Sequence, residues 1–466
     1  MRTALRWLGP WGKPARADRA RSSWALHSPL TASTRHLRCV SAVESERDAV
    51  TVGAGQVPAT DVRVVVTGLG MVSAAGTGAS TAWSLVQEGR TGLRPVRLFD
   101  AEPYGGALAG EAVHLERIEG TDRSLQLLAL AADELLEDAG WDASSPDPRL
   151  GVVLGTSQGA IEDARGIHRD FLRPPYPDSS DELEGIFERY RPGYGTEYLA
   201  RRLGAEGPRA TVGMVCVSSS VSIIHGVDLL RRGAATRVVA GGFESFSQFV
   251  FTGFHCIGAL AADALRPFDD ARDGTVLGEG AVLLAIETLD HARERGANIY
   301  AEVVGGGISA DAFHMTAPDP EGRGLERAVR QALQDASMGP ADIDYICAHG
   351  TGTVFNDGME CKAFGRIFAE LAEDGRMPPI SGLKSVFGHT LGAAGALDAL
   401  ISVLALRDGV LPPTVAHETP IEDWDFVRGQ GRQTDARLEV ALSTNSAFGG
   451  NNSALVLRTL PEGASA

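Results

Sequence analysis

The stretch that decides the fold is TVGMVCVSSSVSIIHGVDLLRRG, residues 211–233, because it joins a short apolar strand to a long apolar helix. Cys216 stands at the joint between the two elements. A thiol at a helix N-terminus lies near the positive end of the helix dipole and near unpaired backbone N–H groups, and both favour the thiolate form. We therefore predict that Cys216 is a nucleophile that acts without a metal ion.

Two histidines occupy similar joints further along the chain, His349 in AHGTGT and His389 in FGHTLGAAG. A lone apolar-flanked cysteine is usually inert core, and a lone histidine is usually structural. Here all three residues share one kind of position, a strand end or loop that precedes a helix rich in small residues. Two imidazoles close to a thiol would transfer protons or stabilise charge in carbonyl chemistry.

Outward from Cys216, short apolar strands alternate with apolar helices, which predicts an α/β fold with sheets covered on both faces. The first half supplies three strands and a helix, at residues 61–73, 150–159, 237–245 and 124–140. The second half repeats this plan at residues 300–310, 343–353, 380–406 and 438–457. Two similar halves indicate an internal duplication. We predict an N-terminal half over residues 61–299 and a C-terminal half over residues 300–460.

Composition excludes several classes of function. The chain has 466 residues with 44% hydrophobic and 22% charged residues, as expected of a globular protein. Its formal net charge of −17 disfavours nucleic-acid binding, and no window holds the ~18 uninterrupted apolar residues of a membrane span. The five cysteines show no Cys-x-x-Cys pair and no zinc-ligand spacing, which indicates a reducing compartment and no metal site.

Residues 1–60 differ from the rest of the chain. The first 48 residues contain nine Arg or Lys and four Asp or Glu, and prolines interrupt any long amphipathic helix there. We predict a leader that is either disordered or a targeting segment. The expected location is the cytoplasm, or a mitochondrion or plastid if the leader is a transit peptide.

With these residues in view, the sequence resembles the β-ketoacyl synthases, the elongating condensing enzymes of the thiolase-like superfamily that work on acyl carrier protein. The resemblance covers residues 61–460 and rests on eight stretches in chain order: VTGLGMVS, the Cys216 joint, VVAGGFES, LRPFDDARDGTVLGEGA, SADAFHMTAPDPEG, AHGTGTVFNDGME, LKSVFGHTLGAAG and NSAFGGNNSA. It implies the thiolase fold, a duplicated five-layered αβαβα sandwich. It also implies a 3-oxoacyl-[acyl-carrier-protein] synthase, which condenses malonyl-carrier with a Cys-bound acyl chain and extends a fatty acid or polyketide by two carbons.

The resemblance assigns catalytic roles position by position. Cys216 matches the nucleophile, and His349 and His389 match the two histidines of decarboxylation. Lys384 matches a lysine that supports the second histidine, and Glu360 matches an acid in the same network.

Other residues match positions along the substrate path. Phe448 resembles a gating phenylalanine whose backbone N–H joins that of Cys216 in an oxyanion hole. The positions that resemble contacts of the phosphopantetheine arm are Thr316, Thr351, Thr353 and His314. Phe254 either lines the acyl pocket or fills the core.

Structural alternatives remain for two of these assignments. Asp357 and Glu360 are spaced D-x-x-E before an apolar helix, so they also fit a capping box. Lys384 also fits a solvated charge on a loop.

The resemblance implies acyl carrier protein as partner, a homodimer or a heterodimer with a related subunit, and no cofactor beyond the phosphopantetheine of the carrier. The chain departs from the family at Val215, Val217 and Asn451, and it lacks a cluster of basic residues before residue 140 for docking an acidic carrier. We hypothesise that four arginines substitute for that cluster, namely Arg117, Arg123, Arg201 and Arg202. These departures suggest a specialised partner or substrate.

Two other functions share this fold. A coenzyme A-dependent thiolase uses a second cysteine near the C-terminus, whereas no cysteine follows Cys361. A non-catalytic chain-length partner subunit lacks the nucleophile, whereas Cys216 is present together with both histidines.

Overall fold

The computed structural model describes residues 62–104, 107–116, 118, 121–160, 188, 191–434 and 438–460. The predicted leader, residues 1–60, lies outside the described residues. None of the helices within the described residues is long and apolar enough to cross a membrane.

The first half of the described chain carries eight strands and six helices. In chain order they are β1 Val64–Ser73, β2 Gly76–Thr77, α1 Ala79–Gln87, β3 Arg94–Pro95, β4 Leu108–Ala109, α2 Arg123–Ala139, β5 Leu150–Gly155, α3 Tyr194–Arg202, β6 Arg209–Val212, α4 Ser218–Arg231, β7 Arg237–Glu244, α5 Gln248–Cys256, β8 Gly280–Thr288 and α6 Leu289–Glu294.

The second half of the described chain carries seven strands and five helices. In chain order they are β9 Ala301–Ala310, α7 Arg323–Asp335, β10 Tyr345–Ala348, α8 Val354–Ile367, α9 Ala369–Glu373, β11 Ile380–Gly382, α10 Lys384–Phe387, α11 Ala394–Asp408, β12 Val410–Leu411, β13 Arg432–Gln433, β14 Val440–Ser446 and β15 Asn451–Arg458.

The strand order shows the duplication directly. The main sheet of the described residues runs β6-β5-β7-β8-β1 through one half and β11-β10-β14-β15-β9 through the other. When the five main strands of each half are numbered along the chain, they lie side by side in the order third, second, fourth, fifth and first in both halves. In both halves the first two pairings are parallel and the last two are antiparallel. The halves join through a short antiparallel pairing of β1 with β9.

Helices cover both faces of each half and give five layers. Helix α2 packs on β1 and β8, and helix α7 packs on β9 and β15 from the opposite side. Helices α4 and α11 pack on the inner faces and against each other. The prediction of a duplicated, five-layered α/β fold is confirmed.

The two inner helices approach closely because their contact is made of small residues. A side chain on Gly395 of α11 would lie only 2.7 Å from the Cβ of Ser220 on α4. Helix α11 is buried on all sides from Ala394 to Leu406, as expected of a helix that is apolar around its whole circumference. Because α4 follows Cys216 and α11 follows His389, this contact brings the two predicted catalytic turns together.

Candidate active site

The nucleophile turn, residues 213–218, lies between β6 and α4. One 3₁₀ turn, Val215–Val217, connects them, and Cys216 at its centre is 4% exposed. Val215 has φ 54°, a left-handed conformation that is unfavourable for a β-branched residue. Ser218 holds this turn, since its hydroxyl accepts from the backbone N of Met214 at 2.8 Å and donates to the carbonyl of Val215 at 2.6 Å.

The histidine turn, residues 388–394, lies between α10 and α11. It contains His389 and a second 3₁₀ turn, Leu391–Ala393, in which Leu391 has φ 49°. The Nε2 atom of His389 lies 3.1 Å from the sulfur of Cys216. The structure therefore brings the predicted nucleophile and one predicted histidine into direct contact.

A backbone hydrogen bond determines the tautomer of His389. The N–H of Leu391 donates to Nδ1 of His389 at 3.3 Å, so this nitrogen carries no proton. Nε2 must then carry the hydrogen and donate it toward the sulfur. Burial and the charge of Lys384 hold the pKa of His389 well below its usual range, which keeps the ring neutral.

His349 is oriented by a chain of three side chains. Its ring lies edge-on to that of His389, with centroids 5.3 Å apart. The amide of Asn445 donates to Nδ1 of His349 at 3.3 Å and to Asp398 at 2.7 Å, and Lys384 donates to the same carboxylate at 3.3 Å. The hydrogen on His349 is thereby assigned to Nε2 as well, and burial also lowers the pKa of this ring.

The thiol differs from the sequence prediction of a helix-stabilised thiolate. Burial raises the pKa of Cys216 to about 12, and the charge of Lys384 offsets only part of that rise. Desolvation of the charged form outweighs the helix dipole here, because the sulfur lies beneath the surface and not at an exposed helix end. The backbone N–H groups of Cys216 and Phe448 both point toward the sulfur and lower its pKa.

Glu360 binds the turn that carries His349. Its carboxylate accepts from the backbone N atoms of His349 and Gly350, both at 2.8 Å, and from Asn356 at 2.8 Å. Burial raises the pKa of Glu360 to about 8. The carboxylate of Glu360 thus binds the backbone of the turn and not the imidazole of His349.

The two structural alternatives are wrong. The N-cap of α8 is Thr353, whose hydroxyl accepts from the N of Asn356, whereas Asp357 lies inside the helix and accepts from the N of Phe268 at 2.8 Å. No capping box is formed by Asp357 and Glu360, because both are buried within the helix. Lys384 is 2% exposed and paired with Asp398, so it is not a solvated loop charge.

The predicted substrate residues divide into two groups. A cavity of about 330 Å³ is lined by Cys216, His349 and His389 and also by Thr316, Thr351 and Thr353. The hydroxyls of Thr351 and Thr353 lie 2.8 Å apart. His314 is exposed and outside this lining, where its Nδ1 accepts from the backbone N of Thr316 at 3.2 Å.

Phe254 and Phe448 form one wall of the cavity. Their rings stack with centroids 5.6 Å apart, and both rings are partly exposed. Phe254 therefore lines the site and does not fill the core. Among the described residues, no group of three or more His, Cys, Asp or Glu side chains could hold a metal ion.

Comparison with known proteins agrees with this geometry. The family model described as Beta-ketoacyl synthase, N-terminal domain, matches residues 61–292, and that of the C-terminal domain matches residues 300–418. The chain belongs to the beta-ketoacyl synthase family.

Two curated relatives of this beta-ketoacyl synthase are similar over most of the chain. The tetracenomycin polyketide synthase ketoacyl synthase alpha subunit of Streptomyces glaucescens is 38% identical over 419 residues, 85% of this chain and 96% of that protein. The 3-oxoacyl-[acyl-carrier-protein] synthase 2 of Staphylococcus aureus is 35% identical over 414 residues, 85% of this chain and 98% of that protein.

Two solved structures show the same fold. The ishigamide ketosynthase/chain length factor has a TM-score of 0.80 with 33% identity, covering 86% of this chain and 100% of that one. A type II polyketide synthase acyl-carrier protein in complex with its ketosynthase, AntDE:AntF, gives a TM-score of 0.77 with 30% identity and the same coverage.

Sequence reasoning missed three residues of this beta-ketoacyl synthase site. Asp398 and Asn445 link Lys384 to His349, and Glu244 binds the turn after β5 together with Gly392 of the histidine turn. The signal for Asp398 was a single acid in the otherwise apolar helix GALDALISVLAL. A buried charge of that kind is usually paired, and Lys384 was the available cation.

The arginines hypothesised for carrier docking differ in their surroundings. Arg123 is 6% exposed and ion-paired with Glu279 at 2.7 Å, so it cannot bind a carrier. Arg202 is paired with Asp133. Arg201 is exposed, and Arg117 lies outside the described residues.

Proposed function

We propose that this protein is a 3-oxoacyl-[acyl-carrier-protein] synthase, an acyltransferase that performs a decarboxylative Claisen condensation. The observation that carries the proposal is the convergence of one sulfur and two neutral imidazoles, each with hydrogen on Nε2, in one cavity. The product is a 3-oxoacyl chain two carbons longer than the chain held by Cys216.

The first step is acyl transfer to Cys216. Its sulfur attacks the carbonyl carbon of an acyl thioester, the bond to the carrier sulfur breaks, and the thiol proton leaves with the carrier thiol. In this proposal the oxyanion is bound by the backbone N–H groups of Cys216 and Phe448, which are directed at the sulfur, and each such donor is worth about 3 kcal/mol. The neutral thiol of the resting site loses its proton only as the new bond forms.

The second step is the loss of CO2 from a malonyl thioester. The carbon–carbon bond breaks, and its electron pair forms an enolate whose oxygen accepts hydrogen bonds from Nε2 of His349 and of His389. The enolate carbon then attacks the acyl group on Cys216. The carbon–sulfur bond to Cys216 breaks, and the thiolate that leaves takes a proton from water to restore the thiol. Neutral imidazoles suit this role because each can donate its Nε2 hydrogen to the enolate oxygen while its Nδ1 accepts the hydrogen bond that orients the ring.

The substrates arrive on the phosphopantetheine arm of an acyl carrier protein. Thr316, Thr351 and Thr353 line the cavity together with the histidines, and in this proposal their hydroxyls bind the amides of that arm. The complex of a related ketosynthase with its acyl-carrier protein supports this partner, and dimerisation, with itself or with a related subunit, is part of the proposal. We also propose that the chain acts in the cytoplasm.

The following test separates a catalytic subunit from a non-catalytic chain-length partner subunit. A chain length factor is also named among the structural neighbours. Intact mass after incubation with acyl carriers should show a thioester adduct on the wild type and none on Cys216→Ala. Cys216→Gln should retain malonyl decarboxylation without condensation. Product formation that survives Cys216→Ala in the assembled complex would instead assign the chain to the partner class.

A further inference from the structure

Glu244 is a buried carboxylate that joins two turns of the active site. It ends β7, and its side chain is fully buried. Its Oε2 atom accepts from the backbone N of Ser157 at 2.7 Å and from that of Gly392 at 3.0 Å. Its Oε1 atom accepts from the hydroxyl of Thr156 at 3.1 Å and from the backbone N of Gln158 at 3.2 Å. The carboxylate therefore connects the turn after β5 to the histidine turn.

The turn after β5 also contacts the nucleophile turn. The hydroxyl of Ser218 lies 3.4 Å from the carbonyl oxygen of Thr156. A side chain on Gly155 would lie only 2.3 Å from the backbone carbonyl carbon of Ser218, so the two backbones are in direct contact there. Because Ser218 ends the nucleophile turn, Glu244 holds the histidine turn in register with the turn that carries Cys216.

The histidine turn is attached on both sides of the residue that orients the imidazole. On one side, the backbone N of His389 donates to the carbonyl of Val276 at 2.7 Å. On the other side, Gly392 donates to Glu244. Between these two attachments lies Leu391, whose N–H donates to Nδ1 of His389. The bond to Glu244 therefore fixes the far side of the peptide that sets the tautomer and the direction of the ring.

The conformation of this segment depends on such an attachment. Leu391 has φ 49°, and a leucine adopts this left-handed conformation only when its surroundings enforce it. At the next residue, a side chain on Gly392 would lie 2.6 Å from Oε2 of Glu244, so the carboxylate contacts the backbone itself. Loss of the carboxylate would release the end of a strained turn.

The chemistry of Glu244 fits a positioning role. Its donors are backbone N–H groups and one hydroxyl, with no basic side chain among them. Burial of a charge is costly unless hydrogen bonds compensate for the lost water, and here burial raises the pKa of Glu244 to about 7. A carboxylate presents acceptors on both oxygens, as the junction of two turns requires.

We propose that Glu244 is a positioning residue for acyl transfer, which holds the ring of His389 against the sulfur of Cys216. It acts through the backbone of Leu391 and Gly392. This inference rests on the function proposed above, because it assigns a further residue to the acyl-transfer step of that function. Without the carboxylate, the N–H of Leu391 leaves Nδ1 of His389, and the ring turns away from the sulfur.

A double-mutant cycle tests the inference. Single-turnover acylation of Cys216 by octanoyl-pantetheine thioester is followed by intact mass at pH 8, where Glu244 is mostly ionised. Glu244→Ala should lower the rate about 10–100-fold, because a displacement of about 1 Å is enough for such a loss. In the His389→Ala background the same substitution should change the rate by less than about threefold, because the ring through which Glu244 acts is absent.

Two further variants separate the length of the side chain from its charge. Glu244→Gln keeps one oxygen that can accept from both Ser157 and Gly392, so it should recover most of the rate that Glu244→Ala loses. Glu244→Asp keeps the charge on a side chain one methylene shorter, so it should remain slow. Glu244→Asp also replaces Glu244→Ala in the cycle if the alanine variant does not fold.

Glu287 supplies the matched control. It is a fully buried carboxylate on β8, at the opposite end of the β7–β8 pair from Glu244, and it accepts from Arg295 at 3.0 Å. Glu287→Ala should leave acyl transfer within about twofold of the parent protein in both backgrounds, even where its melting temperature falls. Melting temperatures of all variants report the structural loss separately from the rate.

Three results would overturn the inference. A wild-type rate in Glu244→Ala would remove the positioning role and leave the proposed function intact. An equal fall in rate with and without His389 would show that Glu244 supports the fold and not the ring. No adduct on Cys216 of the wild type would remove the proposed function, and this inference with it.

Discussion

In each half of the sheet a 3₁₀ turn lies between the third strand and the inner helix, although α10 precedes this turn in the second half, and the two turns carry different chemistry. After β6 a 3₁₀ turn at Val215–Val217 presents Cys216 and leads into α4, and after β11 a 3₁₀ turn at Leu391–Ala393 follows His389 and leads into α11. Both turns contain a non-glycine residue with positive φ. Backbone strain of this kind persists only where the surroundings enforce it, and here the two turns pack against each other.

The turns after the second strand repeat this relation. After β5, the backbone N–H groups of Ser157 and Gln158 donate to the buried carboxylate of Glu244. After β10, those of His349 and Gly350 donate to the buried carboxylate of Glu360. The same carboxylate-bound turn thus presents an imidazole in one half and an amide in the other. The two carboxylates come from different elements, Glu244 from the end of β7 and Glu360 from within α8, so the halves reach the same arrangement in different ways.

The largest expected effect is the difference between removing His389 and removing His349. His389 contacts the sulfur and His349 does not, so His389→Ala should impair acyl transfer and malonyl decarboxylation, each by about 10³-fold. His349→Ala should impair decarboxylation by a similar factor while acyl transfer stays within a few-fold of wild type. Single-turnover acylation and CO2 release measure the two steps separately. Equal loss of acyl transfer in both variants would contradict the division of roles.

The next expected effect concerns the different groups that fix the tautomers of the two histidines. A backbone N–H fixes His389, whereas Asn445 fixes His349 through Asp398 and Lys384. Asn445→Leu should therefore lower decarboxylation by about 10–100-fold and leave acyl transfer nearly unchanged, because a wrong tautomer removes one donor. Asn451→Leu is the matched control on the same segment of chain. A loss of acyl transfer equal to that of decarboxylation would show general damage to the site.

The sequence predicted the order of strands and helices, since the apolar runs and glycine stops that bound them are local signals. The helix predicted at 124–140 forms Arg123–Ala139, and the strand predicted at 237–245 forms Arg237–Glu244. It also located Cys216, His349 and His389, because each precedes a helix of small residues.

Long-range pairings were not visible in the sequence. Nothing local to Asp398 or Asn445 indicates that they meet Lys384 and His349, since the meeting depends on how α11 packs against β14. The prediction that Cys216 is a stabilised thiolate was wrong for the same reason. The helix dipole is a local feature of the chain, whereas the desolvation that raises the pKa of Cys216 comes from the whole core around it.

The third expected effect concerns this thiol. With the pKa of Cys216 near 12, its thiolate fraction rises about tenfold per pH unit across pH 7–9, and the rate of alkylation by iodoacetamide should rise in parallel without a plateau. The experiment uses Cys256→Ser to remove the exposed thiol and follows the mass of the Cys216 peptide. A rate that levels off below pH 8 would restore the prediction of a stabilised thiolate.

The smallest expected effect compares the two buried carboxylates. Burial raises the pKa of Glu244 to about 7 and of Glu360 to about 8, both from 4.5. A raised folded-state pKa stabilises the protein below pH 4.5, and this contribution is lost as pH rises through the folded-state value. Between pH 7 and 8 the carboxyl group that remains protonated in the folded protein is chiefly that of Glu360. Glu360→Gln should therefore reduce the slope with which the unfolding free energy falls with pH, by up to about 1.4 kcal/mol per pH unit. Glu244→Gln should act mainly between pH 5 and 7. Denaturant titrations across pH 5–9 measure both slopes, and parallel curves for the two variants would show that the two carboxylates titrate alike despite their different turns.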